Sequence, residues 1–486
     1  MTRPHETKGN GQMTDDAHRL NRRSVLTLGA ALGAALTTNA LAGCATSSGG
    51  GTGTGAAGKQ AAVTAENPLG VPADKPLETV IFKGGYGDQY VLDAHAVYKQ
   101  RFPKAEIKHT GGQDLAKQLQ PRFVSGDVPD LIDNSGSGSL AFAPLVDNGQ
   151  LMDLTQLLDA PAIDGGGKTV RDTLLPGLVE QGSFKGKPHV LYYTYTVHGL
   201  YYSKSLFAAK GWTYPTTWAE MLDLCAEIKG TGMSPWTYQG KTPSYILTPL
   251  IMMAIKAGGA PVRKALDSLA PNSWKQPAVL AAAQALYQLA EKGYVMPGTS
   301  GLTHVQAQTY WAKGRAAFIP CGSWLESELG EVTPKGFDMV IASPPSLDKS
   351  DALPQSAIRG MGSEGYIVPS AAKNPYGGLE LLRILLSPTA SKNFTKQTQT
   401  LTSLAGYTPE QAGSGLQSIR DALAASGTNT FYWRYGTWYA KLQQEASAAT
   451  SALMTKEINP DQWAERCQKM ADSLRDDPSV PKYEDA

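Results

Sequence analysis

Aromatic residues that also carry a polar group recur in short clusters along this sequence. The chain has 21 Tyr and nine Trp against ten Phe, so most of its aromatic side chains end in an O–H or N–H group. A flat apolar face with a hydrogen-bonding tip suits a ligand that offers both apolar faces and hydroxyl groups, although many such residues pack in ordinary cores. The aromatic candidates for ligand binding are Tyr86, Tyr193, Tyr195, Trp236, Trp324, Tyr432 and Trp433.

Planar polar side chains are the second requirement of such a site, because carboxylate, amide and guanidinium groups hydrogen-bond in pairs. Several of the candidates have a second interpretation. Glu326 and Glu364 also fit surface or hinge-pairing charges, and Arg359 also fits a partner for a hinge carboxylate. Of the adjacent Tyr432 and Trp433, only one can face a cleft. The polar candidates are Asp88, Asp133, Asn134, Glu326, Arg359 and Glu364.

Catalytic and metal-binding motifs are missing from the sequence. There is no GxSxG or HExxH pattern, and the histidines after residue 44 never lie three or four residues apart. The GxGxxG match at 53–58 follows no predicted strand, so we interpret it as linker composition. We therefore expect a binding protein without catalytic residues, metal or cofactor. The alternative is a secreted glycoside hydrolase or lyase, which needs two carboxylates about 5–10 Å apart that a sequence cannot place.

Length and charge narrow the class of protein further. The chain has 44 Lys and Arg against 43 Asp and Glu, without the basic stripe of a nucleic-acid-binding protein. The roughly 410 residues after residue 76 exceed what one hydrophobic core usually holds, which predicts two lobes. Besides Cys44, the chain has only Cys225, Cys321 and Cys467. Cys225 lies in a one-sided apolar stripe, which indicates core packing.

The first 76 residues have the composition of an export signal and a tether. Arg22 and Arg23 precede a weakly apolar stretch that ends in LAGC at Cys44. This resembles a bacterial lipobox, which implies that 1–44 is a lipoprotein signal peptide and that Cys44 carries the lipid anchor. The alternative is an ordinary cleaved signal. The paired arginines fit a twin-arginine export signal in part, and Met13 is an alternative start. Residues 45–76 read as a flexible tether.

The elements that must position the candidates follow an α/β pattern. We predict a strand at 77–83, a helix at 89–101, a strand at 105–109, a helix at 114–123 and a strand at 129–132, which is the alternation of a parallel sheet. Ligands bind at the carboxyl ends of such strands, which points to Tyr86, Asp88, Asp133 and Asn134. Further helices are predicted at 217–229, with a capping box, at 276–292 and at 379–386 before Pro388.

Five stretches, in order along the chain, resemble one family: the sugar-binding extracellular solute-binding proteins of ABC importers, which include maltose-binding protein. They match the family's GDxPD, GKxYxxP…LxYNKDLF, G…PPKTWDEL and GKAAM…GxW motifs and its late crossover strand and helix. The matching residues are 126–130, 186–207, 211–221, 313–324 and 365–375. Ser203 replaces the usual Asn of YNK and Asn134 replaces an aromatic residue, so a maltose preference does not follow from the resemblance.

The resemblance implies a type II periplasmic-binding-protein fold, with two α/β lobes joined by crossing strands. The predicted lobes are 77–195 with 363–425, and 196–362 with 426–486. It also implies an exported monomeric receptor on the outer face of the cytoplasmic membrane. Such a receptor closes around a carbohydrate, delivers it to permease subunits, and binds no nucleic acid.

Within the family, Trp324 matches the GxW aromatic that stacks under a sugar ring, and 431–435 resembles a late aromatic cluster. The leader, the length and the stretch FYWRYGTWYAKL resemble most closely the actinobacterial receptors for N-acetylglucosamine and short chitin oligosaccharides. Receptors for maltose-, xylan- or cellulose-derived sugars remain the alternative.

Overall fold

A computed structural model describes residues 58–406 and 412–484. The predicted signal peptide, Cys44 and the tether up to residue 57 lie outside the described residues. The strands are β1 Leu77–Phe82, β2 Ile107–Gly112, β3 Leu131–Asp133, β4 Ser183–Phe184, β5 Lys187–Pro188, β6 Leu191–Ser203, β7 Ser234–Trp236, β8 Ala316–Gly322, β9 Met339–Ala342, β10 Arg359–Ile367 and β11 Leu401–Thr402.

Helices cover most of the remaining chain. They are α1 Gln89–Arg101, α2 Leu115–Ser125, α3 Phe142–Asp147, α4 Thr155–Asp159, α5 Val170–Thr173, α6 Leu178–Gln181, α7 Lys204–Lys210, α8 Trp218–Gly230, α9 Ser244–Asp267, α10 Pro277–Glu291, α11 His304–Ala312, α12 Leu325–Leu329, α13 Pro375–Leu385, α14 Pro388–Thr398, α15 Ser414–Ser426, α16 Tyr435–Trp438, α17 Ala440–Met454 and α18 Pro460–Asp476.

One sheet runs through the described chain in the order β2-β1-β3-β10-β6-β8-β7, and β9 and β11 also pair with β6. Strands β1, β2 and β3 are parallel, as are β7 and β8. Strand β10 is antiparallel to both β3 and β6, and β6 is antiparallel to β8 and β9. The predicted α/β class is confirmed, and the long strands β6 and β10 lie where the two parallel groups meet.

Strand β1 is buried on both faces, as expected for a parallel strand covered by helices. Leu77 and Ile81 point into one hydrophobic cluster, whereas Val80 points into the other. Alternate side chains of a strand face opposite sides of its sheet. Apolar residues at both parities therefore require cover on both faces, and this requirement explains the crossover helices between the first three strands.

Several predicted boundaries were wrong by a few residues. Strand β2 ends at Gly112 rather than at His109, because its backbone pairs with β1 through Phe82 despite two glycines of low strand propensity. Pro388 does more than end the preceding helix α13: it is the first residue of α14, where its missing N–H costs nothing. The capping box of α8 is confirmed: Thr217 accepts from the Glu220 amide, and Glu220 accepts from the Thr217 amide. Cys225 is buried, as predicted.

Helix α9 is the longest helix described. By length and composition alone it is long and apolar enough to cross a membrane, but 67% of its most apolar 18-residue stretch is buried inside the protein. Gly259, with φ +68°, divides it at a kink. Burial on this scale is typical of a core helix in a globular protein.

The predicted lobe boundaries stay a prediction. They fall inside β6 and β10, which take part in both halves of the sheet. Helix α15, which the prediction assigns to the first lobe, packs on β9 of the second, and Ser418 Oγ accepts from the Ile341 amide at 3.0 Å.

Candidate ligand-binding cleft

A cleft of about 620 Å³ lies at the carboxyl ends of β1, β2, β3 and β8. Its volume falls within the range of about 300–1,000 Å³ typical of small-molecule sites. The lining residues are Phe82, Gly84, Gly85, Tyr86, Gln113, Gly136, Ser137, His198, Gly199, Thr242, Ser244, Tyr245, Thr248, His304, Val305, Pro320, Cys321, Trp324, Ser327, Glu328, Ser363 and Glu364. Open parallel sheets bind ligands at this edge, so the position of the cleft agrees with the rule used on the sequence.

The floor of the cleft is the crossing point of the sheet. His198 of β6 pairs with Arg359 of β10 on one side and with Gly322 of β8 on the other. Burial and the positive charge of Arg359 both hold the pKa of His198 well below its usual value. The imidazole is therefore neutral at physiological pH and can serve the cleft as a hydrogen-bonding ring rather than as a cation.

Trp324 forms one wall, immediately after β8. Its ring lies against Gly322, where a Cβ would collide with it, so the glycine is what allows this ring position. The ring meets His198 and Tyr245 edge to face, with centroid distances of 5.3 and 5.8 Å. The indole is thus half-buried and held on two sides, with the rest of it lining the cleft.

Phe82 and Tyr86 lie on the opposite wall, after β1. The Phe82 ring packs between Gly84 and Gly136, where a Cβ on either glycine would collide with it. The Tyr86 ring meets Phe394 edge to face at 5.4 Å. Burial raises the pKa of Tyr86, so the phenol keeps its proton. Aromatic rings therefore line both sides of the cleft.

Polar groups connect the two walls. Ser327 Oγ, on α12, donates to the Gly85 carbonyl in the loop after β1, at 2.8 Å. Beside it, Glu328 accepts from Gln308 Nε2 at 2.6 Å and lies 3.3 Å from His304 Nε2. The hydrogen bond to Glu328 raises the pKa of His304. These contacts fix the rim of the cleft on the side of α11 and α12.

Asp133 and Glu364 form a buried acid pair below the cleft. Their carboxyl groups hydrogen-bond each other, and burial is the largest cause of the raised pKa of both. Asp133 also accepts hydrogen bonds from Ser135 and from Tyr90. Glu364 lines the cleft while Asp133 is fully buried, so only Glu364 can reach a ligand.

Three other predicted residues, Asp88, Asn134 and Tyr193, do not line the cleft. Asp88 is buried against His109 and Lys83, at 3.1 and 3.0 Å. The Asn134 side chain closes a turn by pairing with the backbone of Leu140. Tyr193 is fully buried and stacks on Tyr90 with ring planes 7° apart.

Trp236, Tyr195 and Glu326 also lie elsewhere. Trp236 ends β7, is 1% exposed and packs on Trp218 and Phe318, because its strand is covered by α8. Tyr195 lines a separate cavity beside β11. The Glu326 carboxylate accepts from the amides of Gly415 and Leu416, at the start of α15.

The late aromatic cluster is packed rather than open. The guanidinium of Arg359 lies 4.0 Å from the centroid of the Trp433 ring, whose other neighbour is the parallel ring of Tyr435. Burial lowers the pKa of Arg359 to about 10. Tyr432 is half-buried and is not among the lining residues. Of the predicted site residues, the structure brings together Tyr86, Trp324 and Glu364.

Several lining residues escaped the sequence prediction although signals for them existed. Gln113 directly follows β2 and was missed because that strand was ended too early. His304 opens α11 behind a Thr303–Gln306 capping box, a pattern readable in the sequence. Tyr245 lies on the first turn of α9, and only the tertiary fold brings it to Trp324.

The lining of the cleft contains few side chains that can carry a charge. Among the lining residues that the structure describes there is no Lys or Arg, and the carboxyl groups are those of Glu328 and Glu364. The remaining polar atoms belong to hydroxyls, an amide, imidazoles and the backbone. Such a lining can hydrogen-bond an uncharged polar ligand but offers no Lys or Arg to an anionic one.

Comparisons with known proteins agree with this architecture. The model of the bacterial extracellular solute-binding protein family matches residues 82–392. The diacetylchitobiose-binding protein NgcE of Streptomyces coelicolor is 36% identical over 422 residues, which make up 86% of this chain and 89% of that protein. The multiple sugar-binding protein of Streptococcus mutans is 26% identical over 243 residues, covering 49% of this chain and 55% of that protein.

Solved structures share the fold. A chitin oligosaccharide binding protein matches with a TM-score of 0.69 and 19% identity, covering 82% of this chain and 98% of that one. The complex of RafE with raffinose matches with a TM-score of 0.66 and 17% identity, covering 82% of this chain and all of that one. The predicted two-lobed solute-binding fold is that of these neighbours.

Proposed function

Because the chain belongs to the bacterial extracellular solute-binding proteins, we propose that it is the carbohydrate receptor of an ABC importer. Its ligand is N-acetylglucosamine or a short chitin oligosaccharide, bound in the cleft beside Trp324 and passed to membrane permease subunits. Membership of an extracellular family makes it an exported protein. We further propose that it is monomeric and held at the outer face of the membrane through a lipid on Cys44.

The observation that carries the proposal is the half-buried Trp324 ring in a cleft of neutral polar groups. Sugar rings present C–H faces that pack on indoles, and their hydroxyls pair with planar polar groups. Trp324, Tyr245, Phe82 and Tyr86 supply the flat faces. The hydroxyl groups of Ser137, Thr242, Ser244, Thr248 and Ser363 supply hydrogen-bonding partners.

Chitin-derived sugars fit this lining because they are uncharged. An N-acetylglucosamine unit adds an amide N–H, a carbonyl and a methyl group, all of which hydrogen-bond or pack without a counter-ion. The identity to a diacetylchitobiose-binding protein over most of both chains supports the same choice. In receptors of this kind the ligand binds the closed form more tightly than the open form. Ligand binding therefore shifts the population toward the closed form.

The experiment titrates the purified protein with a panel of sugars and monitors binding by tryptophan fluorescence. The sugars are N-acetylglucosamine, diacetylchitobiose, maltose and xylobiose. We expect a saturable change with the first two, at micromolar affinity, about −8 kcal/mol. If only maltose or xylobiose gives saturable binding, the protein is a receptor for another class of sugar. If shortened sugars are recovered from the mixture, the protein is a glycoside hydrolase rather than a receptor.

A further inference from the structure

Glu364 has a strained backbone at a position where a strand would normally be regular. Its φ is +53°, in the left-handed region that residues other than Gly, Asn and Asp seldom occupy. Its neighbours Ser363 and Gly365 pair with Thr194 and Tyr192 of β6, while Glu364 pairs with no residue of that strand. Backbone strain of this kind persists where the surrounding structure imposes it, and it concentrates at binding sites.

The strain directs the Glu364 carboxyl group to the floor of the cleft. The residue is 9% exposed yet lines the cleft, and its carboxyl group meets that of the fully buried Asp133. Ser135 hydrogen-bonds the same carboxyl pair and also accepts from the Gly365 amide at 2.8 Å. Two buried carboxyl groups in contact cannot both be ionised, so they share at least one proton.

Among the described residues around the pair there is no cation that would neutralise a second charge. The titratable groups facing the pair are Tyr86 after β1, Tyr90 on α1, Tyr193 on β6 and Tyr366 on β10, and burial raises the pKa of each. Glu328 on α12 is the next carboxyl group, and the charges of Glu328 and Glu364 both raise the pKa of Tyr86. The cleft histidines, His198 and His304, are not among the groups that shift the pKa of Glu364 or Asp133.

We propose that Glu364 is a specificity-determining residue of the cleft, which donates its proton to a hydrogen bond with Asp133 and accepts one from an N–H or O–H of the sugar. This proposal rests on the receptor function proposed above. Asp133 acts through Glu364 and is a positioning residue. A neutral acid suits this place because an unpaired buried carboxylate would be costly, whereas a carboxylic acid with both neighbours satisfied is not.

The chemistry distinguishes three substitutions at Glu364. Gln is nearly isosteric with a protonated Glu: its amide NH₂ donates to Asp133 and its oxygen still accepts from the sugar. Ala removes both hydrogen bonds. Gly also removes them but relieves the positive φ, so it lowers affinity without lowering stability through the backbone.

The experiment measures diacetylchitobiose affinity of the wild type, Glu364→Gln, Glu364→Ala and Glu364→Gly by calorimetry, with thermal unfolding of each ligand-free protein. The matched control is Glu227→Gln on α8, whose carboxylate accepts from Trp212 Nε1 and which is not among the lining residues. We expect affinity within about threefold of wild type for Gln and for the control. Ala and Gly should each weaken binding at least about tenfold.

The outcomes separate this proposal from the receptor function. If the wild type binds the sugar and the folded Ala and Gly variants bind it equally well, Glu364 does not read the ligand. If Gln loses as much affinity as Ala, the site uses a charged Glu364 and the proton-sharing role is wrong. If the wild type itself binds none of the panel sugars, the receptor function fails together with this proposal.

Discussion

The ring of Trp324 meets the ring of His198 edge to face, with centroids 5.3 Å apart and planes 80° apart. His198 belongs to the strand that crosses between the two halves of the sheet, whereas Trp324 begins the wall after β8. This contact fixes the indole relative to the floor of the cleft. A ring that is already immobile loses little conformational entropy when a sugar packs on it.

Trp324→Ala should therefore weaken diacetylchitobiose binding at least about tenfold, or about 1.4 kcal/mol, because the apolar face under the sugar is lost. Trp324→Tyr keeps a smaller ring and should lose less. Calorimetric titration of the three proteins measures both effects. Unchanged affinity in a folded Trp324→Ala protein would remove this residue from the site.

The hydrogen bond from Ser327 to Gly85 joins α12 to the loop after β1. Ser327→Ala should weaken ligand binding by about 0.5–1.5 kcal/mol, the usual net value of such a bond, if the bond forms only on closure. At the same non-saturating sugar concentration, small-angle scattering should show a larger radius of gyration for the variant than for the wild type, because less of the variant is closed. Equal affinity together with equal scattering curves would show that the bond has no part in closure.

The Asp133–Glu364 pair makes stability depend on pH in a defined direction. Unfolded carboxyl groups titrate near pH 4, whereas the pKa of Asp133 is raised to about 7 by burial, and that of Glu364 is raised as well. Between these values the native chain binds more protons than the unfolded chain, so the free energy of unfolding falls as pH rises from about 4 to about 7.

Glu364→Gln removes one of the two carboxyl groups whose pKa burial raises, so this decline should be smaller in the variant. Urea unfolding between about pH 4.5 and about pH 7.5 measures it. The raised pKa of His304 changes stability in the same direction in both proteins, and the comparison with wild type cancels that contribution. Identical slopes for the two proteins would contradict the shared-proton description.

A cleft without Lys or Arg in its lining should reject anionic sugars. N-acetylglucosamine 6-phosphate should bind at least about tenfold more weakly than N-acetylglucosamine, because the phosphate meets Glu328 and finds no Lys or Arg among the described lining residues. Added salt should reduce the difference if its origin is electrostatic. Equal binding of the two sugars in competition titrations would show that charge plays no part in selection.

Lipidation at Cys44 is tested separately from binding. Replacement of Cys44 by Ser should abolish incorporation of labelled fatty acid and release the protein from the membrane fraction, while sugar affinity stays the same. The tether and the binding cleft are independent parts of the chain in this prediction. Label that persists in the Cys44→Ser protein would place the lipid elsewhere, and absence of label from the wild type would leave the leader an ordinary cleaved signal.

The family and the fold class followed from the sequence, and the family match over 82–392 confirms the resemblance. The strand-end rule led to Tyr86, and the GxW motif led to Trp324, because both depend on local order along the chain. The same rule failed at Asp88 and Asn134, whose side chains are used by His109 and by the turn to Leu140. Whether a strand-end residue points into the cleft depends on partners that only the fold supplies.

The aromatic clusters were the least reliable guide to the cleft. Trp236 and Trp433 have the residue type of a sugar platform, but their strands and loops are covered by other elements. Tyr245 and Phe82 line the cleft with no distinguishing pattern in the sequence. Residue type alone therefore does not separate a ligand platform from a core ring. Burial separates them, and burial is a property of the whole fold.

Calorimetric titration of the purified wild-type protein with diacetylchitobiose tests the receptor account most directly. The account predicts heats that saturate at one sugar per protein, with micromolar affinity, and then stop. Absence of any heat, or a heat that continues after every site is filled because the sugar is being consumed, would contradict it.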